Sequence, residues 1–270
     1  MKKLEKQVEM GVISAAERDE RLANYGRGNL KNQHDDDVSE FSLLNQDRGL
    51  RKRQQVNNIS ALIKLHGIEE KQVVVDFGSG SGNLCLALAS VYPSTSFVFV
   101  DQNQTSLDIL KKRSEEANLG NIIIKQFKFS SNNLAQFIEE IQVEVGEIGL
   151  GIGLHCCGSF TDMVMEMCRV AGSDCLVVPC CNGKIDATTD HYPRSSIISS
   201  VVSGEEYQLL SAAADDLSCR EAKISVETDR AHWASEAGAS QVQCWSMEPS
   251  SASPKNLMIY AKFTSSSDPT

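Results

Sequence analysis

The chain of 270 residues contains no apolar run of the ~18 residues that a membrane-spanning helix requires. No apolar stretch follows the charged start Met1-Lys2-Lys3-Leu4-Glu5-Lys6-Gln7, so no secretory leader is expected. Excess positive charge is lacking too. The formal net charge of −10 excludes broad, charge-driven attachment to nucleic acid, although it leaves room for a local basic groove. An even cysteine count is absent, as are the Cys-x₂-Cys pairs of common zinc sites. Nine cysteines without a leader point to reduced thiols and a cytoplasmic location. There is no internal repeat. What remains, at 41% hydrophobic and 23% charged residues, is the composition of an ordinary soluble globular protein. The length allows one sizeable domain with appendages or two small domains.

The most informative stretch is Val73-Val74-Val75-Asp76-Phe77-Gly78-Ser79-Gly80-Ser81-Gly82-Asn83-Leu84. Three β-branched residues run into an acid, and glycines then alternate with small residues ahead of an apolar run to Ala89. The pattern predicts a buried strand, a tight turn whose bare backbone admits a ligand, and a helix behind it. A dinucleotide fingerprint wants G-x-G-x-x-G, and Asn83 stands where its third glycine would fall. Asp101 lies about 20 residues beyond the glycines, at the end of the next strand, placed to accept ribose hydroxyls. Together they form D-x-G-x-G-x-G with a distal acid, the arrangement with which Rossmann-like methyltransferases hold S-adenosylmethionine.

Ahead of this turn, residues 1–46 read as a polar, flexible arm with an acidic run at Asp35-Asp36-Asp37. From Asp47 the character changes. Arg48, Arg51, Lys52 and Arg53 precede an amphipathic helix bearing Gln54, Gln55, Asn57 and Asn58, which is either a solvated basic face or a wall of the site. Strands are expected at Gln72–Phe77, Ser96–Val100, Ile122–Phe127, Ile148–Leu154 and Asp174–Val178, with helices between them at about Gly82–Val91, Gln104–Asn118, Leu134–Ile141 and from Ser159 or Thr161 through Val170. This alternation predicts a doubly wound, mostly parallel sheet whose ligands bind at the carboxyl ends of the strands. A polar helical stretch from His191 to about Asp216, a helix near Thr228–Gly238, and a β-hairpin of Gln241–Met247 and Leu257–Phe263 finish a domain spanning 47–264. Residues 265–270 read as a disordered tail.

Five segments recur in order: Arg51-Lys52-Arg53-Gln54-Gln55-x-Asn57-Asn58, the Asp76 turn, Leu154-His155-Cys156-Cys157-Gly158 with Thr161-Asp162, Pro179-Cys180-Cys181, and Ser253-Pro254-Lys255-Asn256. Together they resemble the methyltransferase domain of the glutathione S-transferase C-terminal domain-containing proteins, and more loosely a family of tRNA 2′-O-methyltransferases. The resemblance covers residues 47 to 263. It implies an α/β Rossmann-like fold, S-adenosylmethionine as cofactor and an RNA acceptor. The glutathione-transferase-like part of the first family does not appear ahead of the domain, and the Cys/His zinc-finger segments of the tRNA enzymes are lacking. A second function class is a binding protein that keeps the nucleoside pocket and acts through a partner subunit.

The candidate cofactor residues are Asp76, to orient the methionine amine; Gly78, Gly80 and Gly82, to approach the methionine and ribose; Asp101 and Gln102, for the ribose end; Asn132, for the adenine amine; and His155. The candidate catalytic residues are His155, as base or substrate orienter, and Cys180 and Cys181. Cys180 could serve as a thiolate that adds to a pyrimidine ring, or the cysteines could be apolar fillers. Cys156, Cys157, Cys180, Cys181 and His155 could instead bind zinc, but no metal is assigned, because the side chains of adjacent Cys-Cys pairs diverge.

Overall fold

The computed structural model describes residues 40–67, 73–130, 132–188 and 191–263. The expected tail at 265–270, and most of the expected arm at 1–46, lie outside the described residues. Helix α1 (Glu40–Leu65) starts upstream of Asp47 and leads towards strand β1 (Val73–Phe77). There follow α2 (Cys85–Val91), β2 (Ser96–Asp101), α3 (Gln104–Glu116), β3 (Ile122–Gln126), α4 (Leu134–Glu144), β4 (Ile148–Cys156), α5 (Phe160–Ala171) and β5 (Asp174–Pro179). A 3₁₀ turn (Asn182–Lys184) and helices α6 (Ser196–Ser199), α7 (Gly204–Ala213) and α8 (Arg220–Glu236) precede the closing strands β6 (Ala239–Ser246) and β7 (Leu257–Phe263). Among the described residues, no helix is long and apolar enough to cross a membrane.

The sheet order is β3-β2-β1-β4-β5-β7-β6. The first five strands run parallel, whereas β7 pairs antiparallel with both β5 and β6. This is the doubly wound, Rossmann-like sheet closed by a hairpin that strand–helix alternation predicts. Successive strand residues point to opposite faces, so Val74, Phe97, Phe99, Ile152 and Leu176 pack under Ile59, Leu86 and Leu110 on one side. Val73, Val75, Val98, Phe137, Met165 and Val177 fill the other. Chain direction reverses its winding between β1 and β4, and a crevice opens at their carboxyl ends.

Two stretches depart from the sequence reading. Helix α2 begins at Cys85 and not at Gly82, because Gly82 has φ +77°, a left-handed conformation that ends a turn and cannot start a helix. Helix α8 begins at Arg220, well before Thr228. Its buried face carries Lys223, Glu227, Asp229 and Arg230, and charged residues facing inward conceal the helical period.

Those charges form a buried network that fixes the ends of β4 and β5. The Arg230 guanidinium is fully buried and spends its donors on five bonds. It forks onto both carboxylate oxygens of Asp162 at 3.0 Å, and donates to Asn182 Oδ1, Glu227 Oε2 and the Gly158 carbonyl, each at 3.0 Å. Lys223 Nζ bonds Glu227 Oε1 at 3.1 Å and the Pro179 carbonyl at 3.2 Å. Burial would raise the Asp162 carboxyl, but the Arg230 charge, reinforced by Arg194 and the Tyr192 hydroxyl, holds it below its ordinary value. Arg230→Ala would leave Asp162 and Glu227 buried without their shared cation. Urea denaturation is therefore expected to show a loss of about 3–5 kcal/mol, with Arg230→Lys recovering only part because it cannot form the fork.

Candidate nucleoside-cofactor site

The turn after β1 uses its glycines unequally. Gly78, Gly80 and Gly82 all have positive φ, at +71°, +53° and +77°. A Cβ on Gly82 would meet Leu86 at 2.7 Å and Leu110 at 3.0 Å, so helix packing by itself requires glycine here. A Cβ on Gly80 would meet nothing within 4 Å, which leaves its outer face open. At Gly78 the added atom would lie 3.0 Å from the edge of the Phe160 ring. Asn83, at the missing-glycine position, holds Arg113 Nη1 at 3.0 Å, and that guanidinium also bonds the Ser81 carbonyl. The outer part of the turn is thereby tied to α3.

Asp101, at the end of β2, braces the turn from the other side. Its Oδ2 accepts the Gly80 amide at 2.8 Å and its Oδ1 accepts the Asn103 amide at 2.8 Å. Each oxygen keeps a second lone pair for an outside donor. Asp76 is buried at the end of β1, and its Oδ2 has no hydrogen-bond partner among the described residues. Burial is the main reason its carboxyl is pushed up to about 7; the Cys85 thiol opposes the shift and the Asp101 charge adds to it. Ser79 Oγ, in the same turn, is likewise buried without a partner.

Of these residues, Gly78 and Asp101 border an open cleft of about 260 Å³, which Gln102, Phe127, Phe129, Phe160 and Met163 also line. Gln102 thus falls where the sequence reading places it. Asn132 does not: it is exposed and does not line the cleft. The wall is aromatic instead. Phe129 packs against Phe127, Phe137 and Phe160 with ring centroids 4.9, 4.9 and 5.8 Å apart. The alternation Phe127-Lys128-Phe129 after the third strand was the available signal, but aromatic residues at a strand end read as core.

His155 stands at the carboxyl end of β4, with φ +62° and a register shift between Leu154 and Cys156. This bulge turns its ring outward toward α1, where Nε2 meets Gln55 Oε1 at 3.1 Å. Gln55 Nε2 donates to the Ala252 carbonyl at 2.9 Å, which fixes the amide with its oxygen toward the imidazole. His155 Nε2 must therefore carry the proton, leaving the Nδ1 lone pair as acceptor. Withdrawal from water and the Lys52 charge hold the imidazole below its ordinary pKa. The amides of α1 prove divided in role. Gln55 orients His155, while Asn58 exchanges hydrogen bonds with the Glu248 backbone at 2.7 and 2.9 Å and pins the β6–β7 connection.

The cysteines separate as well. Cys156 is buried and its sulfur lies 4.0 Å from the Phe77 carbonyl. Cys157, Cys180 and Cys181 instead bring their sulfurs within 4.8 Å of one another. The divergence expected for Cys180-Cys181 does not occur: both lie beyond β5, which ends at Pro179, and their sulfurs are 3.5 Å apart. Burial, with the thiols of Cys157 and Cys181, pushes the Cys180 thiol well up, which disfavours the free thiolate a covalent role requires.

A family model described as "Methyltransferase domain" matches residues 51–188. The glutathione S-transferase C-terminal domain-containing protein of Bos taurus is 35% identical over 227 residues, covering 80% of this chain and 34% of that protein. A homologue in Drosophila melanogaster is 31% identical over 238 residues, covering 82% of this chain and 38% of its own length. The chain thus spans about a third of the curated relatives it matches. Among solved structures, magnesium protoporphyrin IX methyltransferase from Synechocystis superposes with a TM-score of 0.51 at 15% identity, covering 91% of this chain and 93% of the other, a likeness of fold.

Alanine substitution separates the two glycine roles. Gly82→Ala forces a methyl into Leu86 and Leu110 at positive φ, and its midpoint in chemical denaturation is expected to fall by the equivalent of about 2–4 kcal/mol. Gly80→Ala has room for its methyl and is expected to cost only about 1 kcal/mol.

Proposed function

The chain belongs to the methyltransferase-domain family, and on that footing we propose that it transfers a methyl group from S-adenosylmethionine to RNA. The observation that carries the donor half is a set of unmet groups at one turn: Asp76 Oδ2 and Ser79 Oγ are buried without partners beside the open face of Gly80. A ligand bearing an ammonium group and ribose hydroxyls fits this set, and the aromatic wall of Phe127, Phe129 and Phe160 fits a purine. S-adenosylmethionine supplies an already activated methyl group on a sulfonium, which leaves by in-line displacement.

The protein's part is alignment. Asp76 orients the amine, and the remaining lone pairs of Asp101 accept the ribose hydroxyls. Gln102 borders the ribose end, and Phe129 faces the base. His155 presents Nδ1 on the acceptor side, where it orients the nucleophile or takes its proton, with Gln55 holding the ring. The exposed run Arg51, Lys52 and Arg53 on α1 leads to this histidine and supports a phosphate-bearing acceptor despite the net charge of −10. Transfer of tritium from labelled donor tests the acceptor: counts are expected in the RNA fraction of a total extract and not in the protein fraction, and the reverse would reject RNA.

Asp76 makes donor binding depend on pH. Unfolded, its carboxyl ionises near 3.8; folded, at about 7. The folded chain keeps a proton that the unfolded chain has lost across that window, so this group's contribution to stability falls as pH rises from about 4 to about 7. A bound ammonium favours the ionised form, so affinity for S-adenosylhomocysteine should strengthen as pH rises through about 7 and weaken below it. Asp76→Asn removes the buried charge. Thermal melts at pH 8 should show the ligand-free variant more stable, by on the order of 2 kcal/mol, while calorimetry shows at least tenfold weaker ligand binding.

A further inference from the structure

We infer that Cys157, Cys180 and Cys181 form a three-thiolate site for a soft divalent metal ion, zinc foremost, at the carboxyl ends of β4 and β5. Cys157 Sγ and Cys180 Sγ are 3.1 Å apart, Cys180 Sγ and Cys181 Sγ are 3.5 Å apart, and all three lie within 4.8 Å. Tetrahedral zinc with Zn–S bonds of about 2.3 Å places its sulfurs about 3.8 Å from one another. Two observed separations fall short of that spacing, by about 0.7 and 0.3 Å, and the third is under 4.8 Å, so sub-ångström movements of the sulfurs seat an ion. Soft sulfur ligands select zinc or copper(I) over magnesium or calcium.

Three loop features build this triangle. The bulge at His155 turns Cys157 toward β5 instead of continuing the pleat. Cys180 and Cys181 lie between the end of β5 at Pro179 and the 3₁₀ turn that starts at Asn182. The two loops are then stitched together: the Gly158 amide donates to the Cys181 carbonyl at 2.8 Å, and the Cys180 amide to the Cys156 carbonyl at 3.2 Å. Arg230 binds the Gly158 carbonyl and the Asn182 side chain, residues next to Cys157 and Cys181, and Lys223 binds the carbonyl of Pro179, next to Cys180. Side chains of α8 thus hold the backbone on both sides of the cluster. This is the rigid surrounding that a preorganised metal site requires.

Among the described residues, no fourth His, Cys, Asp or Glu joins the three sulfurs. A closed structural zinc site has four protein ligands, whereas three ligands leave one position for water or substrate. The inferred site is of the second kind. It stands independently of the donor reading, because it rests on sulfur geometry alone.

The test uses the full chain, reduced and freed of metal with a chelator, then titrated with Co²⁺ alone and with Zn²⁺ alone. One Co²⁺ per chain is expected, with a sulfur-to-metal charge-transfer band that Zn²⁺ abolishes by displacement. Cys157→Ser and Cys181→Ser should each weaken binding at least tenfold, whereas Cys244→Ser, on the exposed edge strand, should not. Alkylation of the unaltered chain provides a readout free of any folding defect: Zn²⁺ should protect Cys157 and Cys181 while Cys219 and Cys244 react regardless. Absence of the charge-transfer band, its persistence in the Cys157→Ser/Cys181→Ser double variant, or alkylation of Cys157 and Cys181 undiminished by Zn²⁺ would overturn the inference. So would a reduced chain that retains no metal and simply closes a Cys157–Cys180 disulfide.

Discussion

The buried guanidinium of Arg230 is the interaction on which the loops after β4 and β5 depend. It lies on α8, far along the chain from the strands it secures, and it reaches the loop after β4 through Gly158, the first turn of α5 through Asp162 and the turn after β5 through Asn182. A cation at zero exposure is tolerable only when every donor is met and its charge is balanced. Asp162 and Glu227 supply the balance, and Lys223 balances the remainder. Because each partner is needed to satisfy the others, the two loops have one mutual arrangement. His155, Cys157, Cys180 and Cys181 inherit their positions from it. The Thr161-Asp162 pair of the L-H-x-C-G-x-x-T-D pattern is explained in the same way: Thr161 closes onto the Cys156 carbonyl at 3.0 Å, and Asp162 receives the guanidinium fork.

The turn after β1 follows the opposite physical logic. Each donor of the Arg230 guanidinium is met, whereas at this turn Asp76 Oδ2 and Ser79 Oγ have no partner among the described residues. Buried polar atoms without partners cost stability, and a fold keeps them where a ligand will complete them. The strain is confined to a turn that is otherwise well held, with Gly80 bonded to Asp101 and Ser81 and Asn83 bonded to Arg113. The site is thus stiff in its backbone and unsatisfied in its side chains, the combination that favours selective binding over collapse.

Much of this could be read from residues alone, and the limits have identifiable causes. Strand–helix alternation, the glycine turn and Asp101 follow from local periodicity and spacing. The α8 network was hidden because periodicity assumes that inward residues are apolar, and Lys223, Glu227 and Arg230 become buried only as a mutually paired set. The segment after β3 was expected to meet the adenine through an amide or the backbone, and only the fold shows that the rings of Phe127, Phe129 and Phe160 border the cleft. Asn132 was favoured for its amide, yet it lies exposed. At Gly82 a pattern records that Cβ is missing and not that Leu86 and Leu110 require it. The convergence of Cys180 and Cys181 depends on β5 ending at Pro179, which no spacing rule contains.

The central claim is that the turn after β1, the end of β2 and the aromatic segment after β3 form one nucleoside-cofactor site. Amide hydrogen exchange of the full chain, with and without saturating S-adenosylhomocysteine, tests it most directly. Exchange is expected to slow together at residues 76–82, 101–103 and 127–130, while α8, already locked by its ionic network, stays unchanged. Binding that leaves those three segments unprotected, or that protects a different surface, would contradict the account.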